Sequence, residues 1–318
     1  MTDLPVKSLG RSGLSTTVVG IGTSPLASMP HLYGYPVDAE RAVATVDAVL
    51  DSRIRFIDTS NGYGSDGSAE RRIGEALRGR GGLPADVLLA TKVDPDPSTG
   101  DFGGDRVRAS FEESLTRLGV SRIDLLHLHD PERIDFASGV AAGGPVEALV
   151  RLRDEGVVGH LGVAGGPVPL LQQYLDTGVF EVVLSHNRYT LLDRSAAKLF
   201  AAAHDRGIGV LNAAPYGGGM LSRGPDEQSK YAYGERTDEI RQAAVAMTRL
   251  AAEADVPLAA LALQFSLRAA FIDSTIVGVS SPERVRQTVD LATQPIDDGL
   301  WDELDRLSPP VERWLDPS

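Results

Sequence analysis

Two rhythms of apolar residues alternate along this chain. Short runs at 54–58, 87–92, 123–129, 160–163, 182–184, 208–212 and 274–277 have the length and composition of strands. Between and after them, apolar residues recur every three or four positions. That spacing predicts helices with one buried face over 68–77, 106–118, 146–154, 168–176, 194–205, 239–253, 258–267 and 282–291. An earlier helix fits 38–50, through Ala39, Ala42, Val43, Val46, Val49 and Leu50, with Asp38 as its N-cap. Ser68 reads as the N-cap of the next helix, with Arg71 and Arg72 facing water. At the N-terminus, 6–9 and 16–21 read as a hairpin around Gly10 to Gly13, and its second arm runs through Gly20-Ile21 into Gly22-Thr23.

Counting 18–21 as the first strand, the chain contains eight strand-then-helix units. Repeated βα alternation means parallel strands joined by right-handed crossovers. Eight units favour a closed ring over an open sheet. The expected fold is therefore α/β: a (β/α)8 TIM barrel with an N-terminal β-hairpin. No linker rich in Gly, Pro or Ser divides 1–318, so a single domain is expected. Two connections, 94–105 and 217–238, are too long to be bare turns and are expected as functional loops at the C-terminal face.

Composition narrows the partners. With 42% hydrophobic residues in 318, the chain can bury a large core, and no apolar run approaches the length of a membrane span. The 31 basic residues face 44 acidic ones, a formal charge of -13 that argues against nucleic acid. There is no cysteine, and the first residues lack a secretory layout, so the cytoplasm is the expected compartment. Nothing in the sequence signals an oligomeric state.

In such a barrel the chemistry sits at the carboxyl ends of the strands. Asp58 ends the second strand, Lys92 the third and His129 the fourth, while Tyr63 lies in the loop after Asp58 between two glycines. Singly, Asp58 also fits a helix cap, Lys92 a surface lysine and His129 a structural histidine. Together they form a set suited to moving a proton during hydride transfer. Tyrosine ordinarily ionises near about 10; a lysine ammonium beside it favours the phenolate, and a carboxylate holds the lysine in place. A histidine nearby would orient a carbonyl oxygen. His127 points to the same side of its strand as His129, and spacing alone does not choose between them.

The string Asp58-Thr59-Ser60-Asn61-Gly62-Tyr63-Gly64, the Thr91-Lys92 strand end, and the run from Ser114 to Gly119 leading into Ile123–His129 strongly resemble the aldo-keto reductases. The resemblance runs from Leu9-Gly10 to Ser280-Ser281-Pro282. It implies that Tyr63 is the general acid/base, Lys92 its partner, Asp58 the ion pair of the lysine and His129 the orienter of the carbonyl. His127 then becomes a structural or supporting residue. A nicotinamide cofactor, NADP or NAD with a lean to NADP, is implied, although no Gly-x-Gly-x-x-Gly marks a Rossmann site.

The residues expected around that cofactor are Gly22, Thr23, Ala164, Gly165, His186, Pro215, Tyr216, Gly217, Gly219, Leu221, Gly278, Ser280, Arg284, Gln287 and Thr288. Glycine loops after the last two strands suit a pyrophosphate, and Arg284 suits a 2'-phosphate. The chain departs from the family where Ala164-Gly165 replaces Ser-Asn, His186 replaces glutamine and Gln287-Thr288 replaces Glu-Asn. A lysine common near Gly278 to Ser280 is also absent. The pairing of Leu128 to Pro131 with Asn187 to Asp193 is similar to the aldose 1-dehydrogenase branch, with pyridoxal dehydrogenases close by, so a sugar or aldehyde is the expected substrate. Two other classes are consistent with parts of the pattern: a Schiff-base aldolase using Lys92, and a cofactor-binding regulatory subunit.

Overall fold

The strands in chain order are β1 (Val6–Ser8), β2 (Ser15–Thr17), β3 (Val19–Gly22), β4 (Phe56–Asp58), β5 (Leu88–Val93) and β6 (Ile123–His129). They are followed by β7 (Val158–Gly165), β8 (Val182–His186), β9 (Gly209–Ala213), β10 (Lys230–Tyr231), β11 (Gly234–Glu235) and β12 (Ser274–Gly278). This is a computed structural model, and it describes residues 3–317 apart from 229, 233 and 236. β3 to β9 pair in sequence, and β12 closes the ring by pairing in parallel with both β3 and β9. The result is a closed eight-stranded TIM barrel with helices outside it.

Strand alternation sorts side chains to two sides of the barrel wall. Phe56, Leu88, Ala90, Leu125, Leu184, Leu211 and Ile276 fill the interior. Their neighbours Ile57, Leu89, Leu126, Val183, Val210 and Val277 point outward into the larger core beneath the helices. Each such Leu, Ile or Phe contributes about 1.5–3 kcal/mol of burial. Polar side chains on the inward face are therefore costly below the rim, and they gather at the carboxyl ends.

The β1–β2 hairpin closes the opposite end. Arg11 N–H bonds to Gly207 O, Gly10 N–H to Asp273 and Lys7 Nζ to Ile272 O, all just before β9 and β12. Leu9, fully buried, joins the interior cluster from below. The first barrel strand starts at Val19, separate from the hairpin arm that ends at Thr17.

Elsewhere the structure refines the expected elements. The helix over Ser68–Gly79 is capped by Gly67 in the left-handed region, not by Ser68, whose hydroxyl instead donates to Ala27 O at 3.0 Å. Arg71 faces water, but Arg72 turns inward and donates to Leu26 O. The connection over 217–238 is not bare: it holds a single 3-10 turn, the short helix Met220–Arg223 and the β10–β11 ladder. Short helices at Pro30–Tyr33 and Phe136–Val140, and a longer one at Gly299–Arg306, were not expected from periodicity. The first two are too short to show it. Among the described residues no single helix is long and apolar enough to cross a membrane.

Candidate active site

Asp58 is the last residue of β4, and its side chain, like that of Phe56, points inward. From the adjacent β5, Lys92 extends its ammonium to Asp58 Oδ1 at 2.6 Å and to the Thr59 carbonyl at 2.6 Å. The same Nζ lies 3.3 Å from Tyr63 Oη, to which it donates, and 4.9 Å from the centre of the tyrosine ring. Lys92 is only 1% exposed, and its ammonium is saturated. Burial pushes the Asp58 carboxyl up from its ordinary value against the pull of Lys92, and Oδ2 is buried without a hydrogen-bond partner. A lysine so enclosed is a fixed charge behind Tyr63, which does not suit the nucleophile of a Schiff-base aldolase.

On the other side of Tyr63 stands His129, with its ring edge-on at 5.6 Å between centroids. Its Nδ1 lies 2.7 Å from Asp94 Oδ1 and 2.9 Å from Ser60 Oγ. Asp94 also accepts the Ser60 hydroxyl and the Gly62 N–H, the latter at 2.7 Å. Gly62 is required here, because a Cβ at this position would lie 2.7 Å from the Asp94 carboxylate. Burial opposes ionisation of Asp94, but His129, Ser60 and Gly62 outweigh it and hold the carboxyl down at about 2. Burial likewise opposes a charged His129, and the Asp94 and Asp130 carboxylates overcome it, so the imidazole lies above its ordinary value.

His127 sits one layer deeper, fully buried, with both ring nitrogens unbonded. Burial, then Lys92 and His129, push it well below the ordinary histidine value, so the ring is neutral. It occupies the space over Gly162, where any Cβ would fall 2.2 Å from Nδ1. Of the two histidines, therefore, only His129 reaches the mouth.

Asp58, Tyr63, Asp94 and His129 open into one cavity of about 1020 Å³, and Lys92 lies just behind its wall. One flank is apolar and aromatic, formed by Met29, Leu32, Tyr33, Tyr35, Pro95 and Pro97. The other runs past Ala164, His186 and Tyr216 to Gly218, Gly219, Arg223, Gly278, Ser280, Arg284, Gln287 and Thr288.

Comparison with known proteins settles the family. The model of the Aldo/keto reductase family matches residues 18–309. The chain belongs to the aldo/keto reductase family. It is 32% identical to an L-galactose dehydrogenase of Arabidopsis thaliana over 327 residues, covering 100% of this chain and 98% of the relative. It is 32% identical to a D-threo-aldose 1-dehydrogenase of Pseudomonas sp (92% and 94% covered) and 31% identical to a pyridoxal 4-dehydrogenase of Microbacterium luteolum (94% and 96%). An aldo-keto reductase from Bacillus halodurans, solved in its holo form, superposes with a TM-score of 0.77 at 26% identity, with 96% of each chain covered. This aldo/keto reductase is accordingly an NAD(P)-dependent oxidoreductase acting on CH–OH or carbonyl groups.

The residues present fit a dinucleotide. Gly217, Gly218 and Gly219 all have positive φ, giving a tight backbone turn on the cavity flank. Beyond it, Ser281 caps the helix Pro282–Thr293, and Arg284 presents an exposed guanidinium bonded to Gln287 Oε1 at 2.7 Å. An anion meets there both unpaired helix amides and a positive charge. Of the residues expected around the cofactor, Gly22, Ala164, His186, Tyr216, Gly219, Gly278, Ser280, Arg284, Gln287 and Thr288 line the cavity. Thr23, Gly165, Pro215, Gly217 and Leu221 lie behind its wall. Thr23 bonds to Asp58 O, Gly217 packs on the Tyr231 ring, and Leu221 is buried among Leu191, Leu192 and Met220. His186, which stands where the family has glutamine, is lowered by burial to about 4 and is neutral at pH 7.

Sequence reasoning missed Asp94, Ser60, Glu132 and Arg223. For two of them the signal was present. Ser60 and Asp94 each lie two residues beyond a recognised inward residue, Asp58 and Lys92, and continue the same inward alternation. Glu132 replaces a side chain from another position: its Oε2 lies 2.9 Å from where a Cβ at Gly165 would be.

Proposed function

We propose that this aldo/keto reductase is an aldose 1-dehydrogenase-like enzyme, one barrel domain over 1–318, taking the anomeric hydroxyl of an aldose to a lactone with NADP in preference to NAD. The observation that carries this reading is the convergence of Tyr63, the Lys92–Asp58 pair and His129 on one end of a cavity whose other end presents Arg284 and the glycine turn. When bound, the nicotinamide takes hydride from the carbinol carbon or returns it to the carbonyl. Tyr63 Oη gives a proton to the carbonyl oxygen in reduction and, as phenolate, takes it back in oxidation. Lys92 supports that phenolate, Asp58 fixes Lys92, and His129 orients the oxygen from the opposite side. Arg284 holds the 2'-phosphate.

The substrate flank supports a sugar: an apolar face can rest on Tyr33 and Tyr35 while hydroxyls reach Asp96, Asp130 and Glu132. Relatives named for L-galactose and D-threo-aldose point the same way. A pyridoxal dehydrogenase is the second reading, favoured by the same aromatic wall and by the Microbacterium luteolum relative. The test is NAD(P)H absorbance with each cofactor while L-fucose, L-galactose, other aldoses, pyridoxal and simple aldehydes are offered. Turnover of aldoses with NADP is expected. Turnover of pyridoxal alone would favour the second reading, and none with any substrate would leave the regulatory-subunit class.

A further inference from the structure

His129 is the last residue of β6, and the chain turns at once. Asp130 has a φ of 42°, in the left-handed region, while its N–H donates to Ala164 O at 2.7 Å. Glycine adopts that backbone freely, and asparagine and aspartate tolerate it best among the other residues. The turn therefore accounts for a small residue here, but not for a charge. Nor does an ion pair account for it. The partner, Arg133, reaches Oδ2 at 3.2 Å from a side chain that is 56% exposed, and such surface pairs add little. What remains is the place of the carboxylate: Asp130 lines the cavity, and its Oδ1 stands 3.6 Å from His129 Nε2.

His129 Nδ1 lies against Asp94 and Ser60, so Nε2 is the nitrogen left for a substrate oxygen. We infer that Asp130 is a specificity residue: while the reacting oxygen sits at Tyr63 and His129, the Asp130 carboxylate accepts the hydroxyl on the adjacent carbon, so the substrate is an aldose with an unsubstituted C2 hydroxyl. This rests on the aldose reading given above and names the group of the sugar that the site reads. Proton transfer stays with Tyr63 and Lys92; Asp130 acts on binding and alignment. Burial opposes ionisation of Asp130, but His129, with His186 and Arg133, outweighs it and holds the carboxyl below its ordinary value. An ionised carboxylate only accepts hydrogen bonds. The two neighbours of an anomeric carbon differ in that respect. The C2 hydroxyl donates, whereas the ring oxygen only accepts and would meet the carboxylate lone pair to lone pair. Asp130 thereby also selects which edge of the sugar turns toward it.

The other two carboxylates of that flank are engaged elsewhere. Asp96 Oδ1 accepts the Ser98 and Thr99 N–H groups and the Ser98 hydroxyl of its own turn. Glu132 lies over Gly165 and takes the Gly166 N–H at 3.4 Å. Of the three, Asp130 is the one with an oxygen beside His129 Nε2. Pyridoxal and simple aldehydes carry no hydroxyl on the carbon next to the reacting one, and so offer Asp130 no donor.

The test compares kcat/KM for L-galactose and L-fucose with their 2-deoxy counterparts, on wild type, Asp130→Gly and Asp130→Asn, with NADP and NAD. Wild type is expected to lose about 10–100-fold when the hydroxyl is removed, the worth of one hydrogen bond to a charged group. The Asp130 side chain is 22% exposed, so water limits the loss. Asp130→Gly keeps the left-handed backbone without strain. It is expected to lower kcat/KM for the parent sugars by the same factor and to bring each sugar and its 2-deoxy counterpart within about 2-fold. Asp130→Asn keeps an acceptor without the charge and should fall between. A purely structural role would lower both sugars alike and leave their ratio unmoved, which overturns the inference. So does a wild type that turns over the 2-deoxy sugars as well as the parents. If Asp130→Gly does not fold, Asp130→Asn carries the same ratio test. Turnover of no aldose by wild type removes the aldose reading and the inference with it, whereas turnover with an unmoved ratio removes the inference alone.

Discussion

Two buried carboxylates, Asp58 and Asp94, border the Tyr63 site, and their pKa values move in opposite directions. Asp58 is pushed up by burial, while Asp94 is held down at about 2. Burial is similar, at 3% and 5% exposed, so it does not explain the difference. The partners do. Asp58 receives the Lys92 ammonium on Oδ1 and nothing on Oδ2; Asp94 receives a hydroxyl and a backbone N–H on Oδ2 and has the His129 Nδ1 against Oδ1. The charge of His129 pulls Asp94 down most and the His129, Ser60 and Gly62 hydrogen bonds add to it, whereas Lys92 alone does not offset the burial of Asp58.

The Lys92–Asp58 limb breaks first. Lys92→Met leaves Asp58 without its partner and is expected to be nearly inactive and about 3–5 kcal/mol less stable by denaturant unfolding. Unchanged stability would mean that Asp58 is protonated in the native protein. Tyr63→Phe separates chemistry from packing. Turnover is expected to fall by about 10²–10⁴-fold, with cofactor affinity by fluorescence titration almost unchanged. Retained turnover would remove Tyr63 from the proton path.

The Asp94–His129 limb is broken by pH. Asp94 has a folded value below the ordinary 3.8, so its contribution is complete above that pH and is lost as pH falls toward 2. His129 has a folded value above the ordinary 6.5, so its contribution is complete below 6.5 and is lost as pH rises through the folded value. The stability difference between wild type and Asp94→Asn is therefore expected to peak between about pH 4 and 6.5, at about 2 kcal/mol. A flat difference in urea unfolding midpoints across pH 2–9 would show that the pair is not coupled. The smallest effect lies outside both limbs. Arg284→Ala is expected to weaken NADP binding about 10-fold at low salt and leave NAD binding unchanged, because the exposed guanidinium is a screened point of attachment. Equal affinities would sink its 2'-phosphate role.

The barrel and the Lys92–Asp58–Tyr63 limb were legible in the sequence for one reason. Both follow from strand periodicity, which places Asp58 and Lys92 at neighbouring strand ends whatever the loops do. The 217–238 connection was read only as a long functional loop, because its helix and ladder are too short to leave a period. Ser68 was misread as a cap, because its hydroxyl is claimed by Ala27, a residue distant in sequence.

Taken alone, the sequence determined which residues point inward and at which end of each strand they sit, since a two-residue repeat is a local property of the chain. Only the tertiary structure decided which inward groups share a hydrogen bond. Asp94 meets His129 across 35 positions, and Ser60 meets it across 69. Those contacts depend on strand register and loop path, and they set the charge of each group through the donors brought to it.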